Sequence, residues 1–171
     1  VAAIERKFNL GKIISFKGIK KGIENTNYLL RTKNKKFILT IFEKRVQKKD
    51  LPFFMNLMDK LNNHKINCPK PQKNKKENFL INIKKKPASI VSFVEGKDKF
   101  NLKIKDCYEI GKNIAKLHRA SKKIKLYRKN SISLSYWSKI LKKIGNGYKS
   151  IDVNLNDLMK KTLLETKRKW P

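Results

Sequence analysis

The chain has 171 residues, enough for one domain or for a small lobe joined to part of another, and its formal net charge is +31. A hydrophobic content of 39% excludes global disorder. Lysines supply 38 of the 44 basic residues and are scattered through every segment, which indicates solvated lysine faces and no specific nucleic-acid partner.

Two further classes of protein are excluded by simple patterns. Cys68 and Cys107 lie far apart, without the spacing of a zinc site or a disulfide framework, so we expect two buried, reduced thiols. No apolar run is long enough to cross a membrane, and no signal peptide opens the chain. We therefore expect a cytoplasmic protein without a membrane partner. The residues indicate no particular oligomeric state.

The alternation of apolar residues predicts three strands, then one helix, then two strands, and finally helices only. The strands are expected at 10–17, 26–32, 36–42, 79–83 and 88–94, and the helices at 50–63, 102–120, 134–144 and 155–169. This order predicts an α+β fold, and an isolated α+β domain could show it. A more specific account is a small antiparallel five-stranded lobe with one helix, residues 1–94, hinged to a helical lobe, residues 95–171.

Two helical stripes favour core packing over ligand binding. Phe54, Leu57, Met58 and Leu61 share one face of the first long helix. The second stripe is Ile104, Cys107, Tyr108, Gly111, Ile114, Ala115 and His118. Gly111 costs helix stability, so it is expected to mark a close helix contact, and His118 is expected to be a core histidine.

Gly18 and Gly22 lie in a polar segment between two predicted strands. Glycine tolerates positive φ and has no Cβ, so such a loop lets backbone N–H groups approach a phosphate chain. A glycine pair is also common in ordinary hairpin turns, and the spacing alone favours such a turn over a phosphate loop. Backbone atoms of Ser92, Phe93 and Val94, at the predicted hinge, would offer hydrogen bonds to an adenine edge.

The chain resembles the homoserine kinases that have the aminoglycoside-phosphotransferase fold, a small-molecule branch of the protein-kinase-like superfamily. The matching stretches are Leu10–Tyr28, Phe37–Val46, Asp50–Phe54 with Leu57-Met58, Cys68-Pro69, Val91–Gly96, Gly111–His118 and Lys169–Pro171. The resemblance implies ATP-dependent phosphorylation of the side-chain hydroxyl of L-homoserine, a step toward threonine, with Mg²⁺.

The resemblance also implies a nucleotide site, whose candidate residues are Lys17, Gly18, Ile19, Gly22, Glu24, Asn25, Thr26, Asn27 and Thr40, with Ser92, Phe93 and Val94 at the hinge. Glu24 to Asn27 would fix the loop or touch the nucleotide, and plain turn chemistry explains them equally well. Thr40 stands where a general kinase has lysine. Lys17, Lys44 and Arg45 are the candidates for neutralising the phosphates.

No residue of the chain matches the family's catalytic loop, which should follow Trp170-Pro171. The catalytic base and the Mg²⁺ ligands are therefore expected beyond Pro171, and the chain is interpreted as a fragment that is inactive by itself. Two alternatives stay open: another small-molecule kinase of the same fold, acting on a sugar, choline or an aminoglycoside, and a basic nucleic-acid-binding module.

Overall fold

The computed structural model describes residues 1–20, 24–43, 46–130 and 133–169. Its helices are α1 (Ala2–Lys7), α2 (Leu51–Asn63), α3 (Ile104–Ser121), α4 (Leu134–Ile144) and α5 (Leu155–Lys169). Its strands are β1 (Ile13–Ile19), β2 (Asn25–Thr32), β3 (Lys36–Phe42), β4 (Leu80–Ile83) and β5 (Lys86–Ser92).

The five strands form one antiparallel sheet in the order β1-β2-β3-β5-β4. A three-stranded meander, β1–β2–β3, and a hairpin, β4–β5, meet where β3 pairs with β5. The segment between β3 and β4 contains α2. The predicted antiparallel five-stranded sheet, followed by helices, is confirmed.

One face of the sheet carries the main hydrophobic core. Alternate side chains of the strands point to this face, and α1 packs against it through Ile4 and Phe8. Leu30 and Ile90 are completely buried there, and Leu39 is 1% exposed. The buried members of the cluster are Ile4, Phe8, Ile13, Leu30, Phe37, Leu39, Ile81, Ala88 and Ile90.

The helix α1 was not predicted from the sequence. It has only six residues, fewer than two turns, so its apolar positions give almost no periodicity to detect. Its stability comes from tertiary contacts: Ile4 is buried in the core, and a carboxylate oxygen of Glu5 accepts a hydrogen bond from Ile13 N–H at 2.6 Å. This bond ties the helix to the first residue of β1.

The predicted helix over 50–63 is present as α2, with Pro52 in its first turn, where its missing N–H costs no hydrogen bond. Its buried face differs from the predicted stripe. Leu51, Met55 and Leu61 are buried, whereas Phe54 is only half-buried and meets Phe53 edge to face, with 5.6 Å between the ring centroids.

The chain divides into two compact units, the first ending at Tyr127 and the second beginning at Arg128. The predicted lobe boundary after Val94 stays a prediction. In the second unit, α4 and α5 are joined by a turn in which Gly145 has φ of +56°. An apolar groove of about 370 Å³ runs between these two helices, lined by Trp137, Ile140, Leu141, Leu158, Met159, Thr162 and Leu163.

Three expectations for α3 are wrong. Its apolar stripe is exposed, with Ile104 at 91% and Tyr108 at 67%. His118 is exposed, and so is Cys107, although both thiols remain free as expected. A Cβ placed on Gly111 would meet no atom within 4 Å, so this glycine marks no close contact. The apolar periodicity of α3 therefore predicts a helix correctly but not its burial.

Candidate functional site

A row of three polar side chains crosses the sheet on the face opposite α1. Asn27, Thr40 and Ser89 are direct partners on three neighbouring strands. The hydroxyl of Thr40 donates a hydrogen bond to Oδ1 of Asn27 at 2.8 Å. Ser89 is 1% exposed, and Asn27 and Thr40 are half-buried. The structure thus brings two of the sequence-predicted residues, Asn27 and Thr40, into contact.

The neighbouring residues Asn25 and Thr26 hold the end of β3. Asn25 Oδ1 accepts a hydrogen bond from Glu43 N–H at 3.2 Å, and the Thr26 hydroxyl donates to Glu43 Oε1 at 3.1 Å. The other carboxylate oxygen of Glu43 pairs with the ammonium group of Lys86. Because Thr26 and Asn27 are consecutive in a strand, their side chains lie on opposite faces of the sheet. Glu24 directly precedes this strand.

The strand β1 is longer at its end than predicted, and this changes the place of Gly18. Gly18 lies in β1, opposite Tyr28, and not in a loop; Ile19 is opposite Asn27. A Cβ on Gly18 would come no closer than 3.9 Å to the Tyr28 ring, an ordinary contact, so the fold does not require glycine here. Lys17 is exposed and lies on the Thr40 face, one row along the sheet.

The segment that follows β5 is held against β3 by contacts between Phe93 and Lys36. Phe93 N–H donates to the carbonyl oxygen of Lys36 at 3.0 Å. The ammonium group of Lys36 lies 5.5 Å from the centre of the Phe93 ring and 2.7 Å from a carboxylate oxygen of Glu95. Cation–π and ionic contacts thus converge on one lysine, which fixes the segment that was predicted as the hinge.

Ser92 is held from the other side of β5. Its N–H donates to the carbonyl oxygen of Lys70 at 2.8 Å, and its hydroxyl oxygen accepts from Lys70 N–H at 2.8 Å. The N–H groups of Ser92 and Phe93 are therefore both used inside the chain. Within the described residues, Val94 N–H has no hydrogen-bond partner.

Sequence reasoning missed Ser89, Lys36 and Glu43 as members of this region. Ser89 is found only through the register of β3 with β5, which sequence periodicity does not give. Lys36 and Glu43 could not be predicted from the sequence, because a chain with 44 basic residues offers many possible partners for every ion pair. Three predicted residues, Gly22, Lys44 and Arg45, lie outside the described residues.

The titratable side chains give no metal centre in the described ranges, where no group of three or more His, Cys, Asp or Glu residues could hold an ion. Burial raises the pKa of the Cys68 thiol, whose sulfur lies 3.2 Å from Nδ2 of Asn62. A thiol with a raised pKa is a poor nucleophile at neutral pH. None of the helices in these ranges has the length and the apolar content needed to cross a membrane.

Comparison with known proteins identifies the family of this chain. A model of the phosphotransferase enzyme family matches residues 15–151. The homoserine kinase of Parvibaculum lavamentivorans is 36% identical over 164 residues, 96% of this chain and 51% of that protein. The homoserine kinase of Afipia carboxidovorans is 37% identical over 164 residues, again 96% of this chain and 50% of that protein.

These relatives confirm the resemblance that the sequence motifs indicated, and the chain spans about half of their length. The crystal structure of spectinomycin phosphotransferase in complex with ADP and spectinomycin matches with a TM-score of 0.69 and 12% identity. It covers 100% of this chain and 58% of that one. At this identity the match concerns the fold alone, and it confirms the predicted kinase-like fold.

Proposed function

We propose, since this chain belongs to the phosphotransferase enzyme family, that it forms the nucleotide-binding part of a homoserine kinase. The whole enzyme would transfer the terminal phosphate of ATP to the side-chain hydroxyl of L-homoserine. The observation that carries the substrate class is the 36% identity to a homoserine kinase over nearly the whole chain. The rival substrates, a sugar, choline or an aminoglycoside, have only the shared fold in their favour.

The adenine edge would be read at Val94. A kinase-like site needs a backbone donor in the segment that leaves the sheet, and Ser92 N–H and Phe93 N–H are already bonded to carbonyl oxygens of the chain. Val94 N–H is left as the donor for the base. The contacts of Lys36 with Phe93 and Glu95 would hold this donor in place before the nucleotide arrives, which lowers the entropic cost of binding.

The phosphates would lie along the face that carries Asn27 and Thr40. ATP with Mg²⁺ supplies the transferable phosphoryl group, and the protein's part is positioning and charge neutralisation. Lys17 is exposed on that face and is our candidate for the charge that Thr40 lacks. The Thr40–Asn27 hydrogen bond would hold these two side chains in one fixed arrangement beside the phosphates. We assign no described residue to Mg²⁺ or to the catalytic base.

The backbone of β1 at Gly18 would pass beside the phosphates, with Ile19 and Gly22 next along the segment. A side chain at Gly18 would not obstruct them, because its Cβ would point toward the Tyr28 ring on the opposite face of the sheet. Lys17, one residue earlier, does lie on the phosphate face. Lys17→Gln is therefore the substitution in β1 that tests the site.

We expect Lys17→Gln to leave the melting temperature unchanged, because Lys17 is exposed, and to weaken the affinity for an ATP analogue by about tenfold. Calorimetric titration and a thermal melt measure the two quantities. Lys12→Gln is the matched control, since it removes another exposed lysine, just before β1, and should leave nucleotide affinity alone. Unchanged affinity of Lys17→Gln would remove Lys17 from the site.

The substrate is tested on the complete gene product. A coupled assay with ATP and Mg²⁺ should show phosphorylation of L-homoserine and little turnover of choline, a sugar or spectinomycin. The 171 residues alone should show background turnover only. A preference for any of the other hydroxyl compounds would replace the proposed substrate, and real turnover by the 171-residue chain would contradict the absence of a catalytic base from it.

A further inference from the structure

A second concave surface, which we call the basic pocket, lies where α2 and α3 end. Its volume is about 700 Å³, within the range typical of small-ligand sites. The residues that line it come from the turn after α2 and from the last turns of α3. They are His64, Lys65, Ile66, Lys116, Arg119, Ala120, Lys122 and Lys123. None of them belongs to the proposed nucleotide site.

The five cationic side chains of the basic pocket have no acidic partner. In the described parts of the chain, none of them makes an ion pair or a side-chain hydrogen bond. The sequence explains why. Residues 60–76 and 110–151, which supply every lining residue, contain no Asp or Glu. Elsewhere the chain does pair its lysines, as in Lys36 with Glu95 and Lys99 with Asp106.

Helix dipoles account for only part of this charge. Both helices present their C-terminal ends near the basic pocket, and each end carries roughly −0.5 elementary charge, which attracts cations. Two such ends offset about one positive charge of the five. An excess of about four positive charges is left in a concave site.

Lys65, one of the five cations, lies in the turn after α2 with an unusual backbone conformation. Lys65 has φ of +59°. Its N–H donates to the carbonyl oxygen of Asn62 at 2.8 Å, and Ile66 N–H donates to that of Leu61 at 3.0 Å. This is the Schellman motif, in which glycine is the preferred residue at the left-handed position. Lysine occupies that position here at a conformational cost of about 1–2 kcal/mol.

The chemistry of the lining suits phosphate groups. Arg119 offers a planar fork of donors that matches phosphate oxygens, and the four lysines add compact charges around it. The side chains of Ile66 and Ala120 are apolar, so they accept no hydrogen bond from the cationic groups of the lining. Among the residues that the structure describes, no Phe, Tyr or Trp lines the basic pocket, so single-stranded nucleic acid would find no stacking platform there. We propose that the basic pocket binds a compact polyanion of linked phosphate groups.

The test is a calorimetric titration of the chain with inorganic tripolyphosphate at constant ionic strength, with saturating ADP present to occupy the nucleotide site. We expect saturable binding of one equivalent. The double variant Lys116→Gln/Arg119→Gln should weaken this affinity by tenfold or more. The matched control Lys105→Gln/Lys112→Gln removes two charges from the same helix outside the basic pocket and should change the affinity by less than twofold.

Three results would overturn the proposal: equal weakening by both double variants, full competition by sulfate at the same ionic strength, or tighter binding of a single-stranded oligonucleotide that neither variant affects. Each would mean that dispersed positive charge binds anions without a site. If Lys116→Gln/Arg119→Gln fails to fold, Lys122→Gln/Lys123→Gln gives the same measurement, because these two lysines follow α3 and leave its hydrogen bonds intact.

Discussion

The sheet and the helices that follow it use apolar residues in opposite ways. In the sheet, Leu30 and Ile90 are completely buried, and the core closes with residues of this chain, α1 included. In α3 and α5 the apolar residues are as regular in sequence, yet Ile104 is 91% exposed and Leu164 is 68% exposed. Apolar spacing is regular in both regions, but within the described residues the apolar positions are largely covered only in the sheet.

This contrast separates the formation of a helix from the burial of its apolar face, which apolar periodicity usually predicts together. A stripe at helical spacing predicts where the helix forms and which face is apolar, but burial depends on what packs against that face. The sheet supplies its own cover through strand pairing and α1. The exposed stripes therefore make the helical region the part of this chain whose stability is least determined by its own residues.

The difference in burial between the sheet and the helices is tested most strongly by two substitutions to alanine. Leu39→Ala removes a side chain that is 1% exposed and should lower the free energy of unfolding by about 2–5 kcal/mol. Ile104→Ala removes an apolar side chain that is 91% exposed and should change it by less than about 0.5 kcal/mol. Urea denaturation followed by circular dichroism measures both. Similar losses for the two variants would show that α3 is covered in solution.

The next largest effect is expected in the hairpin between β4 and β5. Its loop consists of Lys84 and Lys85, with φ of 48° and 65°, the conformation of a type I′ turn. Asn-Gly is the preferred pair in such turns, so Lys84→Asn/Lys85→Gly should raise stability by about 1–2 kcal/mol. Lys33→Gly is the control, because Lys33 is not among the residues with positive φ and glycine there should destabilise.

A stabilised hairpin would sharpen the contrast, since the gain should appear in the sheet and not in the helices. Hydrogen exchange read residue by residue shows this: protection should rise in β4 and β5 and stay constant in α4 and α5. A uniform rise over the whole chain would indicate that the two regions unfold as one cooperative unit.

The same contrast explains which parts of the fold could be predicted. Strands and long helices were predicted because alternation and helical spacing are local properties of sequence. The helix α1 is too short for such a signal. The end of β1 was placed too early because Gly18 resembled a loop residue, whereas in the structure it pairs with Tyr28. The local sequence pattern thus predicted which strands and long helices form, whereas the end of β1 depends on its pairing with β2.

Within the candidate site, individual residues could be predicted from the sequence, but their contacts with one another could not. Asn27 and Thr40 were proposed separately, and only the register of β2 with β3 joins them through a hydrogen bond. The burial of Ser89 likewise depends on pairing across the sheet. The hinge donors were proposed as a group of three, but the hydrogen bonds to Lys36 and Lys70 reduce the free N–H groups to that of Val94.

A smaller effect on stability, but a clear one on surface chemistry, is expected from the stripe of α3. Ile104→Gln/Tyr108→Gln replaces two exposed apolar side chains with a good helix former, so stability should change by less than about 0.5 kcal/mol. Binding of a hydrophobic fluorescent dye should fall. Ile90→Gln is the contrasting variant and should prevent folding or raise dye binding, because it buries an amide in the core.

The smallest effect concerns the first turn of α3, which depends on one carboxylate. The ammonium group of Lys99, 2.6 Å away, and the N–H of Lys103, at 2.8 Å, hold the pKa of Asp106 below its ordinary value of 3.8. A carboxyl whose pKa is lower in the folded state stabilises that state at any pH above 3.8, and this contribution is lost as the pH falls through the folded pKa.

We therefore expect Asp106→Asn to be slightly less stable than the parent chain at pH 7, with the difference shrinking below pH 3.8. Denaturation curves of both proteins at several pH values give this difference directly. Glu109→Gln is the control, since its carboxylate lies 3.9 Å from Lys112 on the exposed side of the same helix and caps no N–H group. If the Asp106→Asn difference stays constant through acid, the carboxylate does not fix the start of α3, and the helix is held by its backbone propensity alone.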